Sequence, residues 1–250
     1  MTDPSDRRQV WQERWGHRRA EEFGWHLDEP PPQLVQMLER GGLPPGAALD
    51  IACGDGVATR FLAGSFSPSI GFDIAPGAAA KARARTDADR FPAFFLVADA
   101  TAAWPFRDGS FKFAFDRGGL ANLPSEAWGR YFEEAGRVIA LGGILQILVS
   151  RPVRRGSPSL PHRILVRLRS LARPWRPAPE AMLEARLRQL AGPAFEVLTA
   201  ERFLFVTRRG DRRQFTHVVF HRQRPAGRRV RPVRDSSTPS KVSRRPQRWS

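Results

Sequence analysis

Short apolar runs of five or six residues recur along the first 150 residues, most of them closed by an acidic residue or a glycine turn. Ala47 to Ala52 has strand length and passes through Cys53-Gly54-Asp55-Gly56 into Val57 to Leu62, which suits a helix. Ser69 to Asp73 and Ala93 to Ala98 read as the next two strands, the second running directly into Asp99. Glu126 to Ala140 reads as a helix, followed after Gly143 by Ile144 to Val149, apolar enough for a strand covered on both faces. Strands alternating with helices predict a mostly parallel, doubly wound α/β sheet with helices on both faces.

The flanks differ in character. The first 40 residues read as helical, with Trp11 and Trp15 sharing a helix face and Pro31 or Pro32 opening a helix that contains Leu34, Val35, Met37 and Leu38. Beyond residue 150, Leu160, Ile164, Leu168 and Leu171 recur at helical spacing with Arg163, Arg167 and Arg169 among them. That basic segment reads as a helix capping the sheet with a solvated arginine face, as an interfacial helix, or as a clamp for an acidic substrate. Pro174 and Pro177 end it, and Pro179 to Leu190 starts another helix. Phe195 to Val206 and Arg213 to Arg222 read as two strands joined at Arg209-Gly210-Asp211.

The turn after the first strand carries the candidate chemistry. Gly54 and Gly56 allow positive φ angles and leave no Cβ in the way of a ligand. Asp73 follows Gly56 by 17 residues and ends the second strand, where such folds place a carboxylate that accepts from ribose hydroxyls. Thr59 stands where a dinucleotide fingerprint needs Gly or Ala, which argues against NAD. These features point to a different nucleoside-bearing cofactor.

Leu49-Asp50-Ile51-Ala52-Cys53-Gly54-Asp55-Gly56 resembles the first motif of the class I S-adenosylmethionine-dependent methyltransferases. Trp104-Pro105-Phe106-Arg107-Asp108-Gly109-Ser110-Phe111 resembles that family's entry to its fourth strand, and Arg137 to Leu145 its turn into the fifth. The resemblance implies a Rossmann-like seven-stranded sheet whose C-terminal hairpin is antiparallel. It also implies S-adenosylmethionine held by Asp50, Ala52, Gly54, Gly56, Asp73, Ile74, Asp99, Ala100 and Asp116. Asp50 would serve the methionine end, Asp73 the ribose and Asp99 the adenine amino group. Asp116 and Arg117 are the candidates at the transferred group, with Trp25 and Arg117 at the acceptor. Trp25 to Pro30, Leu43 to Gly46 and Phe115-Asp116-Arg117-Gly118 are similar to the thiopurine, thiol and tellurite methyltransferases, which methylate small soft nucleophiles. Lys112 and Gly119-Leu120-Ala121-Asn122 depart from that group's pattern.

Charge separates the core from its appendages. Residues 222–250 carry +9 and residues 151–176 carry +8, which leaves the rest at −1 against a total of +16. The expected organisation is a methyltransferase domain over 1–222, with a helical cover at 1–45 and a basic helical insertion at 151–192. A disordered basic tail at 223–250 follows, too poor in large apolar residues to order itself. Clustered arginine attracts phosphate, so these segments are candidates for polyanion or membrane-surface contact. No apolar run approaches the roughly 20 residues of a membrane span, and no apolar signal core follows the arginine-rich start, which predicts a cytoplasmic monomer. The single cysteine, Cys53, precludes an internal disulfide and reads as a packing residue. His217 and His221 share a face of a predicted strand and read as sheet residues, with no metal expected. Small-molecule methylation is the leading expectation. RNA- or ribosome-directed methylation through the basic segments and a cofactor-binding protein without transfer are the alternatives.

Overall fold

Apolar strands separated by helices pair in parallel, because each helix carries the chain back across a sheet face. The computed structural model describes residues 4–86, 92–152, 179–206 and 212–224, and shows this arrangement. The strands β1 (Ala47–Ile51), β2 (Ser69–Asp73), β3 (Ala93–Val97), β4 (Phe111–Arg117), β5 (Ile139–Pro152), β6 (Phe195–Val206) and β7 (Arg212–Arg222) form one sheet. Their order is β3-β2-β1-β4-β5-β7-β6, with β7 running opposite to the other six strands. In register, Leu49 lies beside Ile70 and Ala114, and Ile147 beside Val218. The fold is thus the expected seven-stranded Rossmann-like sheet with its antiparallel C-terminal hairpin.

The helices are α1 (Pro4–His17), α2 (Pro32–Glu39), α3 (Val57–Leu62), α4 (Pro76–Ala84), α5 (Trp128–Val138) and α6 (Pro179–Ala191). One core gathers Leu49, Ile51, Phe72, Leu145 and Phe220 with Tyr131 and Phe132 of α5 and Leu187 of α6. Another joins Ala48, Phe113, Phe115 and Leu148 to Leu34 of α2 and Leu62 of α3. Burial of a large apolar side chain contributes about 1.5–3 kcal/mol, so these two layers fix the sheet between them. The strand order reverses between β1 and β4, and the carboxyl ends of the strands open a crevice there.

Several expectations shift in detail. Within the first 40 residues the second helix opens at Pro32 as expected, and α1 ends at His17, after which the chain crosses a short 3-10 turn and a loop to Pro31. Helix α4 has no strong apolar stripe, yet Ala78, Ala79 and Ala82 give it a fully buried inner face. The helix before β5 stops at Val138, and β5 already starts at Ile139. Its glycines fit a register shift there, since a Cβ on Gly143 would lie 2.9 Å from the Lys112 carbonyl. The basic segment around residues 160–171, the turn at 209–211 and the tail from 225 onward lie outside the described residues. Among the described residues, no helix is long and apolar enough to cross a membrane.

Candidate functional site

The tight chain reversal after β1 sets the geometry. Ala52, Gly54 and Gly56 all have positive φ, at 56°, 56° and 78°, and Gly56 caps the start of α3. A left-handed residue that carries a Cβ costs about 1–2 kcal/mol, so Ala52 holds local strain that the surrounding packing must offset. Asp73 stabilises the reversal from the neighbouring strand. Its Oδ2 accepts from the Gly54 N–H at 3.0 Å and its Oδ1 from the Ala75 N–H at 2.9 Å. Beneath the turn, the buried Asp50 accepts from the Thr59 hydroxyl at 2.6 Å.

Burial governs the charge of these acids. Loss of solvent pushes Asp50 up to about 7, against the opposing effect of the Thr59 hydroxyl, with Asp116 adding like-charge repulsion. Asp73 is raised for the same main reason, while its backbone donors act in the other direction. Desolvation also raises the Cys53 thiol well above its ordinary range, which keeps it protonated, in accord with a packing role beside Phe95.

A cavity of about 550 Å³ opens over the carboxyl ends of β1 to β4. Asp50, Ala52, Gly54, Asp73, Ile74, Asp99 and Ala100 line it, together with Trp25 and Arg117, so most of the residues expected at the site meet there. Gly56 and Asp116 do not. A Cβ on Gly56 would lie 2.5 Å from Cε1 of Phe95, so this glycine admits the β3 side chain and not a ligand. Asp116 is fully buried, and accepts from the Gly119 N–H at 2.7 Å, the Leu120 N–H at 3.0 Å and the Tyr131 hydroxyl at 2.8 Å. Burial raises it to about 6 even so. The expected place of Asp116 at the transferred group is therefore corrected: it anchors the loop after β4 to α5.

The roof of the cavity comes from segments remote in sequence. Helix α1 lies over α4, with Trp15 buried against Ala75 and Ala78, Gln12 accepting from the Gly77 N–H at 2.9 Å and Lys81 donating to the Trp15 carbonyl. Arg7, Trp11 and Arg14 face the cavity from this helix. Their spacing of four and three residues places them on one helical face, a periodic signal that a search for apolar residues passes over. Trp25 meets Trp11 edge to face and stacks on Phe23, while Arg117 donates to the Trp25 carbonyl at 2.9 Å and sits over the Phe215 ring. The buried His26 approaches Asp28 at 3.3 Å and Asp55 at 3.7 Å. Phe215 reaches the site only because β7 enters the sheet beside β5, so no local pattern marks it.

The residues at the floor fit a cofactor with a cationic end, a ribose and an aminopurine. Each Asp73 oxygen takes one backbone donor and keeps capacity for a hydroxyl. Asp99 Oδ1 takes both the amide and the hydroxyl of Thr101, while Oδ2 takes Arg7 at 3.2 Å and retains room for another donor. Among the described residues, no group of three His, Cys, Asp or Glu side chains is placed to hold a metal ion.

Residues 48–143 match the family model of a methyltransferase domain, the segment that builds β1 to β4 and the start of β5. With this fold, the match supports S-adenosylmethionine as the cofactor of the domain. Three solved structures share the architecture. One, described in work on conversion of a disulfide bond into a thioacetal group during echinomycin biosynthesis, is 23% identical with a TM-score of 0.65, covering 87% of this chain and 92% of that one. An S-adenosylmethionine-dependent methyltransferase from Methanosarcina mazei is 21% identical with a TM-score of 0.56, covering 78% and 99%. A geranyl diphosphate C-methyltransferase from Streptomyces coelicolor A3(2) is 13% identical with a TM-score of 0.59, covering 89% and 100%. At these identities the likeness is one of fold, which by itself does not specify an acceptor.

Proposed function

We propose that this chain is an enzyme that transfers the methyl group of S-adenosylmethionine to a small-molecule nucleophile held beneath Trp25 and Arg117. A single cavity that brings Asp50, Gly54, Asp73 and Asp99 together along one side and an aromatic roof along the other carries this reading. When bound, the cofactor supplies a methyl group already activated by its sulfonium, so the chain's task is mainly positioning. Asp50 lies under the turn as counter-charge for the ammonium end, Asp73 accepts from the ribose diol, and Asp99 accepts from the adenine amino group. The aromatic rings around Trp25 exclude water from the transfer region and provide flat faces for the acceptor. Arg117 holds the Trp25 loop through its carbonyl and so shapes the chamber.

The acceptor class we favour is a soft nucleophile such as a thiolate. Such a group attacks without a general base, and sulfur packs well against aromatic rings. The solved relative linked to disulfide-to-thioacetal conversion supports this choice, as do the motifs shared with the thiol and thiopurine group. Incubation with methyl-labelled S-adenosylmethionine and separate thiol, phenol, amine and RNA fractions tests it. Label in a small thiol is the expected result. Label confined to RNA would overturn the small-molecule reading, and absence of transfer despite cofactor binding would overturn the enzymatic one.

A further inference from the structure

Gln146 is a polar side chain in a strand that is otherwise apolar on both faces. It lies in β5 beside Phe115 of β4 and Val219 of β7, and it is fully buried. Its Nε2 lies 2.9 Å from the Gln33 carbonyl, which can only accept, so the nitrogen of the amide is the end that faces α2. The same nitrogen lies 2.9 Å from Nε2 of the buried His217 on β7, which must therefore accept its second hydrogen. That leaves the ring neutral, with its proton on Nδ1, 3.9 Å from Glu201 Oε2 of β6 and without a hydrogen-bond partner among the described residues. Gln146 Oε1 is likewise unpartnered there, so the amide acts through its two hydrogens alone.

Resting on the methyltransferase reading above, we infer that Gln146 and His217 are positioning residues for the acceptor chamber, a strut that pins the amino end of α2 and with it the roof loop. Gln33 follows Pro31 by two residues, and Trp25, Glu29 and Pro31 line the cavity. Phe115, beside Gln146, and Phe215, two residues before His217, line it too. The strut holds only while His217 is neutral. A proton on its Nε2 would face an amide N–H, and turning the amide to present Oε1 would take the donor away from Gln33. Burial pushes the ring's pKa down, Glu201 opposes this, and Arg40, just past α2, adds to it. The roof is therefore held at neutral pH and released in acid. His26 in the roof loop responds with the opposite sign, because its charge forms beside Asp28 and Asp55, at 3.3 and 3.7 Å.

The test follows amide hydrogen exchange by mass spectrometry over residues 24–36, from pH 7.5 to pH 4.5 and corrected for the intrinsic rate, in the full chain, Gln146→Leu and His217→Gln. Residues 47–62, which build β1 and α3, serve as the internal reference. Loss of one hydrogen bond corresponds to about two- to tenfold in a local opening equilibrium. The wild-type roof should therefore exchange about two- to tenfold faster in acid than at neutral pH, against a reference that does not. Gln146→Leu should show the fast rate throughout. His217→Gln, which accepts the same hydrogen and cannot titrate, should show the slow rate throughout. Faster exchange of roof and reference together would mark a general loosening and overturn the inference. So would a wild-type roof indifferent to pH, or a His217→Gln chain that still loosens in acid. Binding of S-adenosylhomocysteine, measured by calorimetry at pH 7.5, should be alike in all three chains. Its absence from the wild type would remove the cofactor reading, whereas the exchange result would still decide whether the strut exists.

Discussion

The Thr59 hydroxyl donates to the Asp50 carboxylate at 2.6 Å in a place where Thr59 is fully buried and Asp50 nearly so. That one bond joins the end of β1 to α3 beneath the cofactor turn. Thr59→Val preserves the shape and removes the donor, leaving a buried carboxylate short of a partner. The expected loss is about 1.5–3 kcal/mol of unfolding free energy at pH 8, measured by urea denaturation. At pH 5, where Asp50 is protonated, the loss should shrink. An equal loss at both values would show that the hydroxyl acts through packing and not through the charged acid.

The elevated acid also predicts a pH dependence. Asp50 titrates at about 7 in the fold and near 3.8 when exposed, so the folded state holds the extra proton between those values. Stability contributed by this group is therefore fully present at the acid end, falls as pH rises through the window, and levels off above about 7. Asp116, at about 6, acts in the same direction over a narrower range. Binding of an ammonium-bearing ligand runs the opposite way, since it needs the ionised acid. Affinity for S-adenosylhomocysteine should weaken about tenfold from pH 8 to pH 6 by calorimetry, and Asp50→Asn should flatten that profile.

The two glycines of the turn should separate by phenotype. Gly56→Ala combines a positive φ with a collision against Phe95, and should cost about 2–4 kcal/mol in stability. Gly54→Ala meets only Trp15 of the roof, with Cζ2 at 3.1 Å. Its stability loss should stay near 1–2 kcal/mol, with a disproportionate drop in S-adenosylhomocysteine affinity as α1 shifts. Urea denaturation and calorimetry on both variants check the contrast, and identical profiles would reject it.

Tyr131→Phe removes one of the three donors to Asp116. We expect a loss of about 1.5–3 kcal/mol at neutral pH in denaturant unfolding, with cofactor affinity little changed. A strong affinity loss in a variant that still folds would return Asp116 to the site itself.

The C-terminal boundary can be placed more closely than residue 222. Arg222 donates to the Gly136 and Ala194 carbonyls, and the Gln223 N–H also donates to Ala194. A chain ending at Arg224 should melt within a degree or two of the full one, whereas a chain ending before Arg222 should lose several degrees by calorimetric scanning. Equal melting of the two would place these bonds outside the domain.

What was legible in the sequence followed range of interaction. The glycine turn, the strand-end acids Asp73 and Asp99 and the antiparallel hairpin each show as a local pattern, and each stands in the structure as expected. Gly56 and Asp116 carry the right residue types in the right places, yet Phe95 and Tyr131 claim them through packing that only the assembled sheet produces. Arg7, Trp11 and Arg14 mark one helix face, but nothing in the first 20 residues says that α1 will lie across a site built near residues 50, 73 and 99. Helix α4 leaves little trace in the sequence because its buried face is alanine, which barely registers in a hydrophobic periodicity.

Much of the cavity's floor comes from the stretch between Asp50 and Ala100, whereas the rest of its wall is assembled from α1, the loop through Trp25, the segment from Phe115 to Leu123 and a single ring from β7. A segment exchange confined to the first 31 residues would recast the shape of the acceptor chamber while leaving the cofactor's carboxylates untouched. The same division would let the roof be altered at the amino-terminal end without touching the residues proposed to hold the methyl donor.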